Sequence, residues 1–164
     1  MLELDSWLAI AKFAALEAGK YLLINQDKEL KILHDAGRDI KLQLDIDTEN
    51  IIKKNISSQS EFSILGEETG FTDDVGEFYW VVDPLDGTSN FLRDIPISCV
   101  SIALMQNLTP ILGVIYDFNH DDLYYGHQQS KAFVNKREIM VSDYSEKSQS
   151  TLVTGIPAKT DYSD

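Results

Sequence analysis

The chain has 164 residues, 43% hydrophobic and 10% aromatic, enough apolar material for one ordinary domain core. Acids outnumber bases 27 to 14, a net charge of −13. That balance argues against a nucleic-acid backbone or an anionic membrane as partner, since both call for basic patches. It would also repel a phosphorylated substrate unless bound cations reversed the sign locally.

Residues 3–24 read as a helix, because Leu4, Leu8, Ala11, Ala15, Ala18 and Leu22 step by threes and fours along one face. Residues 25–38 are polar and carry Asp35, Ala36 and Gly37, so a mobile loop is expected. A second helix is expected to begin near Asp45–Thr48, capped by Asp47 or Thr48, and to run to about Ile56. From Phe62 the period changes to two. Strands are expected at 62–65, 78–82, 98–105, 111–116, 123–125, 132–134 and 139–141, with Val100, Ile102 and Leu104 on one face and Cys99, Ser101 and Ala103 on the other. Turns are expected at 107–110 and 119–122. Helices followed by sequential strands predict an α+β fold with layered helices and an antiparallel sheet. A last apolar segment, Leu152 to Pro157, reads as a strand with nothing after it, as in a truncated or partial chain.

The lone cysteine, Cys99, allows no disulfide within the chain and suits a reducing, cytoplasmic setting. It reads as a small buried core residue. No signal peptide is evident, and no apolar run reaches the ~20 residues of a membrane span. His34, His120 and His127 show no ligand spacing.

The chemistry concentrates in two short acidic segments. An apolar run from Trp80 ends at Asp83, and Pro84, Leu85, Asp86, Gly87, Thr88, Ser89, Asn90 and Phe91 follow. Pro84 fixes φ, and Gly87 lets backbone approach a ligand. A rigid loop carrying two carboxylates suits a hard cation such as Mg²⁺, with the Leu85 carbonyl as an added oxygen ligand. Upstream, Gly66, Glu67 and Glu68 follow another short strand. Alone they read as a solvated turn. Beside the aspartate loop they would place Glu67 next to Asp83, a costly pairing unless a cation neutralises it. Thr88 either caps a short helical turn or orients a water, with Asp45 the candidate partner for its hydroxyl. A rival is the Asp-x-Asp-Gly-Thr loop of haloacid-dehalogenase phosphatases, from which Asp83 and Asp86 depart by one extra residue.

On Ile64 to Glu68, Trp80 to Phe91, the acids Asp39, Asp45 and Glu49, and Ile111 to Tyr116, the chain resembles the inositol monophosphatase family of lithium-sensitive, Mg²⁺-dependent phosphatases. The resemblance implies that Glu67, Asp83 and the Leu85 carbonyl hold one Mg²⁺, and that Asp83 and Asp86 hold a second. Glu68 supports the first ion, and Glu67 helps a third, weaker one. It makes Thr88, Asp45 and Glu67 the catalytic group, with Gly87, Thr88 and Ser89 contacting the phosphate. The implied reaction is hydrolysis of a small phosphate monoester, an inositol or sugar phosphate, by in-line attack of a metal-activated water. Li⁺ inhibition and a homodimer are further expectations, with no nucleic-acid or membrane partner. Open alternatives are a 3′(2′),5′-bisphosphate nucleotidase of the same superfamily and a non-catalytic metal-binding fragment that needs a second chain. The chain departs from the family pattern in Leu42, where a threonine is usual, and in Gln128 to Lys131, where a glycine-rich turn is usual. The distal Trp-Asp segment is also missing. Residues 1–164 therefore resemble an N-terminal metal-binding domain whose C-terminal domain is absent from this chain.

Overall fold

The computed structural model describes residues 3–36, 39–143, 145, 146, 148, 150, 151 and 153. Helix α1, Leu4–Asn25, buries Leu4, Leu8, Ala11, Ala15, Ala18 and Leu22, the stripe expected from its spacing. The alanines on that face let the helix lie close to what it covers. Helix α2, Gln43–Ser57, packs beside it through Leu44, Ile52 and Ile56.

Between the helices the expected loop is instead a hairpin, β1 (Ile32–Ala36) and β2 (Asp39–Leu42), paired antiparallel. Ile32, Leu33 and Ile40 supply β-branched or apolar residues on either side of a polar centre, a short pattern that the surrounding charges obscure. The hairpin ends directly in α2, two residues earlier than expected. Leu42 is the N-cap, and the Asp45 carboxylate, rather than Asp47 or Thr48, accepts from the Leu42 N–H at 2.8 Å.

The remaining strands form one sheet: β3 (Ser63–Gly66), β4 (Gly70–Phe71), β5 (Phe78–Asp86), β6 (Cys99–Gln106), β7 (Thr109–Asp117), β8 (Asp122–His127), β9 (Ala132–Val134) and β10 (Arg137–Ile139). Their order is β10-β9-β8-β7-β6-β5-β3-β4. All neighbours are antiparallel except β3 and β5, which run parallel. The sheet is thus mixed, not purely antiparallel, because the chain hooks through the short β4 edge before entering β5 in the same direction as β3. The last strand lies at 137–139; Met140 and Val141 are outside it and exposed. The strand expected at Leu152–Pro157 lies, apart from the irregular Val153, outside the described residues.

The core sits between the two helices and one face of the sheet. Helix α1 covers β6, β7 and β8, and α2 covers β5. Val100, Ile102 and Leu104 point into this core, each at most 1% exposed, as alternation predicts. Trp80 is completely buried, and its indole N–H is satisfied by Ser60 Oγ at 3.1 Å. Trp7, Phe62 and Phe78 close one end of the layer, with ring centroids 5.2–5.8 Å apart. No helix among the described residues is long and apolar enough to cross a membrane.

Candidate metal and phosphate site

The parallel pairing of β3 and β5 builds the site. Gly66 is registered against Val82, and the next N–H, that of Glu67, donates to the Val82 carbonyl at 3.0 Å. The two strands therefore deliver Glu67 and Asp83 at the same level, with their carboxyls close enough to act directly on each other. Asp83 is half-buried. Burial, the bond to Glu67, the charge of Glu67 and then that of Asp86 together push it up to about 8, against a backbone bond from the Leu85 N–H. Two carboxyls this close must share a proton or a cation.

Strand β5 runs further than expected, to Asp86, but its pairing with β6 shifts between Asp83 and Asp86. This bulge turns Pro84 and Leu85 inward, where both are buried, and leaves Asp86 exposed on the rim. Gly87 follows at φ 91°, a left-handed conformation. A Cβ there would lie 2.7 Å from the Ile97 carbonyl, so only glycine fits. Its own carbonyl starts α3 (Thr88–Phe91), accepting from the N–H groups of Asn90 and Phe91 at 2.8 and 2.9 Å. Asn90 Nδ2 donates to the Ile97 carbonyl at 2.8 Å and ties the loop down from the far side.

Thr88 Oγ1 donates to the Leu85 carbonyl at 3.0 Å, not to Asp45. The carbonyl keeps a second lone pair for another partner. Ser89 is tied to Arg93, which donates to both its carbonyl and its hydroxyl at 2.8 and 2.5 Å. Asp45 is 1% exposed, and while one of its oxygens caps Leu42, the other, Oδ1, has no partner. Burial first, then the charges of Glu68 and Glu67, push Asp45 up to about 7, opposed by the Leu42 bond. The Leu42 departure thus leaves its capping bond intact, because the backbone makes it. Glu68 is nearly buried and pairs with Lys41 at 3.0 Å.

Cys99 is not a core residue. It is half-buried opposite Asp86, 3.9 Å from its Oδ2, and burial with the charges of Asp86, Asp83 and Asp117 pushes its thiol up to about 12. It is therefore a protonated thiol and a poor nucleophile. His120 pairs with Asp117 at 2.8 Å and His127 with Asp5 at 3.2 Å. Beside Asp86 and Gly87 a pocket of about 470 Å³ opens, walled in part by Asn90, Ile97, Cys99 and His120.

A hard divalent cation fits the donor set, which is all oxygen: the adjacent carboxyls of Glu67 and Asp83, the rim carboxylate Asp86 and the Leu85 carbonyl. Among the described residues, however, no three His, Cys, Asp or Glu side chains are already gathered as around a held ion. Glu49 belongs to the same region and sequence reasoning gave it no role. Its signal was only its position, one turn after Asp45 on the helix face that meets Gly66.

The sequence model of the inositol monophosphatase family matches residues 3–162. The chain belongs to this family. It is 34% identical over 163 residues to a fructose-1,6-bisphosphatase/inositol-1-monophosphatase of Aquifex aeolicus, covering 98% of this chain and 62% of that one. It is 37% identical over 157 residues to an inositol-1-monophosphatase of Synechocystis, covering 93% and 54%. An inositol monophosphatase structure from Anabaena superposes with a TM-score of 0.75 at 37% identity, over 88% of this chain and 53% of that one. The α+β fold is that of the inositol monophosphatases. The chain spans about half to three-fifths of the length of these relatives.

Proposed function

We propose that these residues form the ion- and phosphate-binding side of a Mg²⁺-dependent phosphomonoesterase acting on a small inositol or sugar phosphate. The Glu67–Asp83 carboxyl pair carries the reading, because it needs a cation to be stable in ionised form. When bound, Mg²⁺ supplies the positive charge that neutralises these acids and polarises the phosphate oxygens. Glu67, Asp83 and the Leu85 carbonyl would hold one ion, and Asp83 with Asp86 a second. Glu68 supports Glu67 through the turn they share. The backbone of Gly87 and Thr88, with Ser89, faces the phosphate. Thr88 orients the attacking water through its hydroxyl oxygen. Asp45, with a buried unpartnered oxygen and a proton affinity near neutral, is the local proton acceptor. The neighbouring pocket has room for a small polyol.

In this reading residues 1–164 are one metal-binding domain, and their turnover alone is weak beside that of a full-length relative. A cytoplasmic location, Li⁺ sensitivity and a homodimer belong to the same reading. The test is a phosphate-release screen over inositol, sugar and nucleotide monoesters with and without Mg²⁺, with Asp83→Asn as control. Mg²⁺-dependent release that Asp83→Asn abolishes supports the proposal. Undiminished release in that variant, or preference for a bisphosphorylated nucleoside, contradicts the assigned role or substrate.

A further inference from the structure

Resting on that reading, we propose that Glu49 is a positioning residue: its buried carboxylate sets the backbone that aims Glu67 at Asp83. The side chain is wholly buried, yet it does not pack as a core residue. Its Oε2 accepts from the Glu68 N–H at 2.8 Å, and its Oε1 accepts from Thr69 Oγ1 at 2.5 Å. Lys53, one helical turn on, meets Oε1 at 2.9 Å and also bonds Thr69. From the other side the carboxylate lies against Gly66, where an added Cβ would come within 2.4 Å of both oxygens. Glu49 thus lies against Gly66 and bonds the Glu68 amide and the Thr69 hydroxyl, on both sides of Glu67.

The geometry has a chemical logic. Glu67 is exposed at the end of a short strand, where a turn would otherwise be free to rotate. Its N–H is fixed to Val82, and the following N–H is fixed to Glu49. Two consecutive amides held by separate elements, β5 and α2, fix the direction in which the Glu67 Cα–Cβ bond leaves the backbone, beside Asp83 on the neighbouring strand. A carboxylate is the side chain for the task because it accepts from an amide, a hydroxyl and an ammonium at once. Its negative charge is balanced by Lys53, so it adds little repulsion to the acid pair. Groups that orient an ion's ligands, without touching the ion, typically contribute about 10- to 100-fold to affinity.

The test is Mn²⁺ affinity of the 164-residue chain by calorimetry, together with hydrogen exchange at the Glu68 and Thr69 amides, in wild type and Glu49→Gln. The glutamine keeps the size and one accepting oxygen but cannot serve all three donors. The expected result is Mn²⁺ binding weaker by about 10- to 100-fold, with faster exchange at Glu68. Unchanged affinity beside a wild type that binds Mn²⁺ overturns this inference alone, even if exchange rises, because Glu49 would then only staple helix to sheet. Absence of binding by the wild type overturns the function proposed above and this inference with it. Should Glu49→Gln not fold, Thr69→Val removes a single donor. A several-fold loss of affinity is expected there, and an unaltered value overturns the inference.

Discussion

The amide of Glu67 is bonded to the carbonyl of Val82 at 3.0 Å, so Glu67 and Asp83 leave adjacent parallel strands side by side. In an antiparallel pair these two acids would sit at opposite ends of the sheet edge. The parallel hook through β4 is therefore the topological step that creates the site.

The pair makes the metal-free protein pH-sensitive. Asp83 and Asp45 both have folded proton affinities above the unfolded value of about 4. Between about pH 4 and 8 the folded chain holds protons that the unfolded chain has released, so stability falls as pH rises through this window. The Glu49 carboxyl is raised by burial, but bonds from Thr69, Lys53 and the Glu68 N–H lower it overall. Its contribution is lost on acidification, in a separate, lower window. Urea unfolding in chelator should show a falling midpoint from pH 5 to 8, and millimolar Mg²⁺ should flatten the fall. A midpoint that rises across this range without metal would contradict the assigned burial of the two acids.

Asp83→Asn should abolish Mg²⁺-dependent stabilisation and yet raise the melting temperature of the chelated protein at pH 8. The amide keeps a hydrogen bond to Glu67 and removes the repulsion. Thermal melts with and without Mg²⁺ measure both effects. A chelated variant that melts below wild type would show that the pair is not in conflict.

Gly87→Ala should destabilise the chain by about 1–3 kcal/mol, the cost of holding a side chain at positive φ with a close contact. The added methyl would meet the Ile97 carbonyl at 2.7 Å. Urea midpoints at constant slope would register the loss. An unchanged midpoint would mean that the loop adapts and is not held as described.

Much of the layout was readable from residue pattern. The α1 stripe and the alternation in β6 specify buried faces directly, since period and burial coincide there. Two acidic segments after short apolar runs were enough to bring Glu67 and Asp83 together in expectation. Other features were not legible. The β1–β2 hairpin hides because its few apolar residues alternate with charges and it gains its burial from elements distant in sequence. The direction of β3 against β5 depends on the two-residue β4, too short to leave a pattern. Cys99 reads as core because it sits in an apolar segment, but it belongs to the half-buried face of β6 and meets Asp86 of the acid loop. The contacts of Glu49 with Glu68 and Thr69 depend on approach across some twenty residues of chain, whereas the Thr88–Leu85 bond is local, and sequence alone leaves open which acceptor the hydroxyl takes.

Thr88→Val should lower phosphate release by about 10²-fold or more if the hydroxyl orients the reacting water, whereas Thr88→Ser should stay close to wild type. The bond to the Leu85 carbonyl is also lost in the valine variant, so circular dichroism should accompany the assay. Equal activity of the valine variant would remove Thr88 from the catalytic group.

The central claim is that Glu67 and Asp83 hold one ion jointly. Mn²⁺ binding to wild type, Glu67→Gln, Asp83→Asn and the double variant tests it as a thermodynamic cycle. Joint ligation predicts that either single change removes most of the affinity and that the second adds little. Independent, additive losses from the two positions would contradict it.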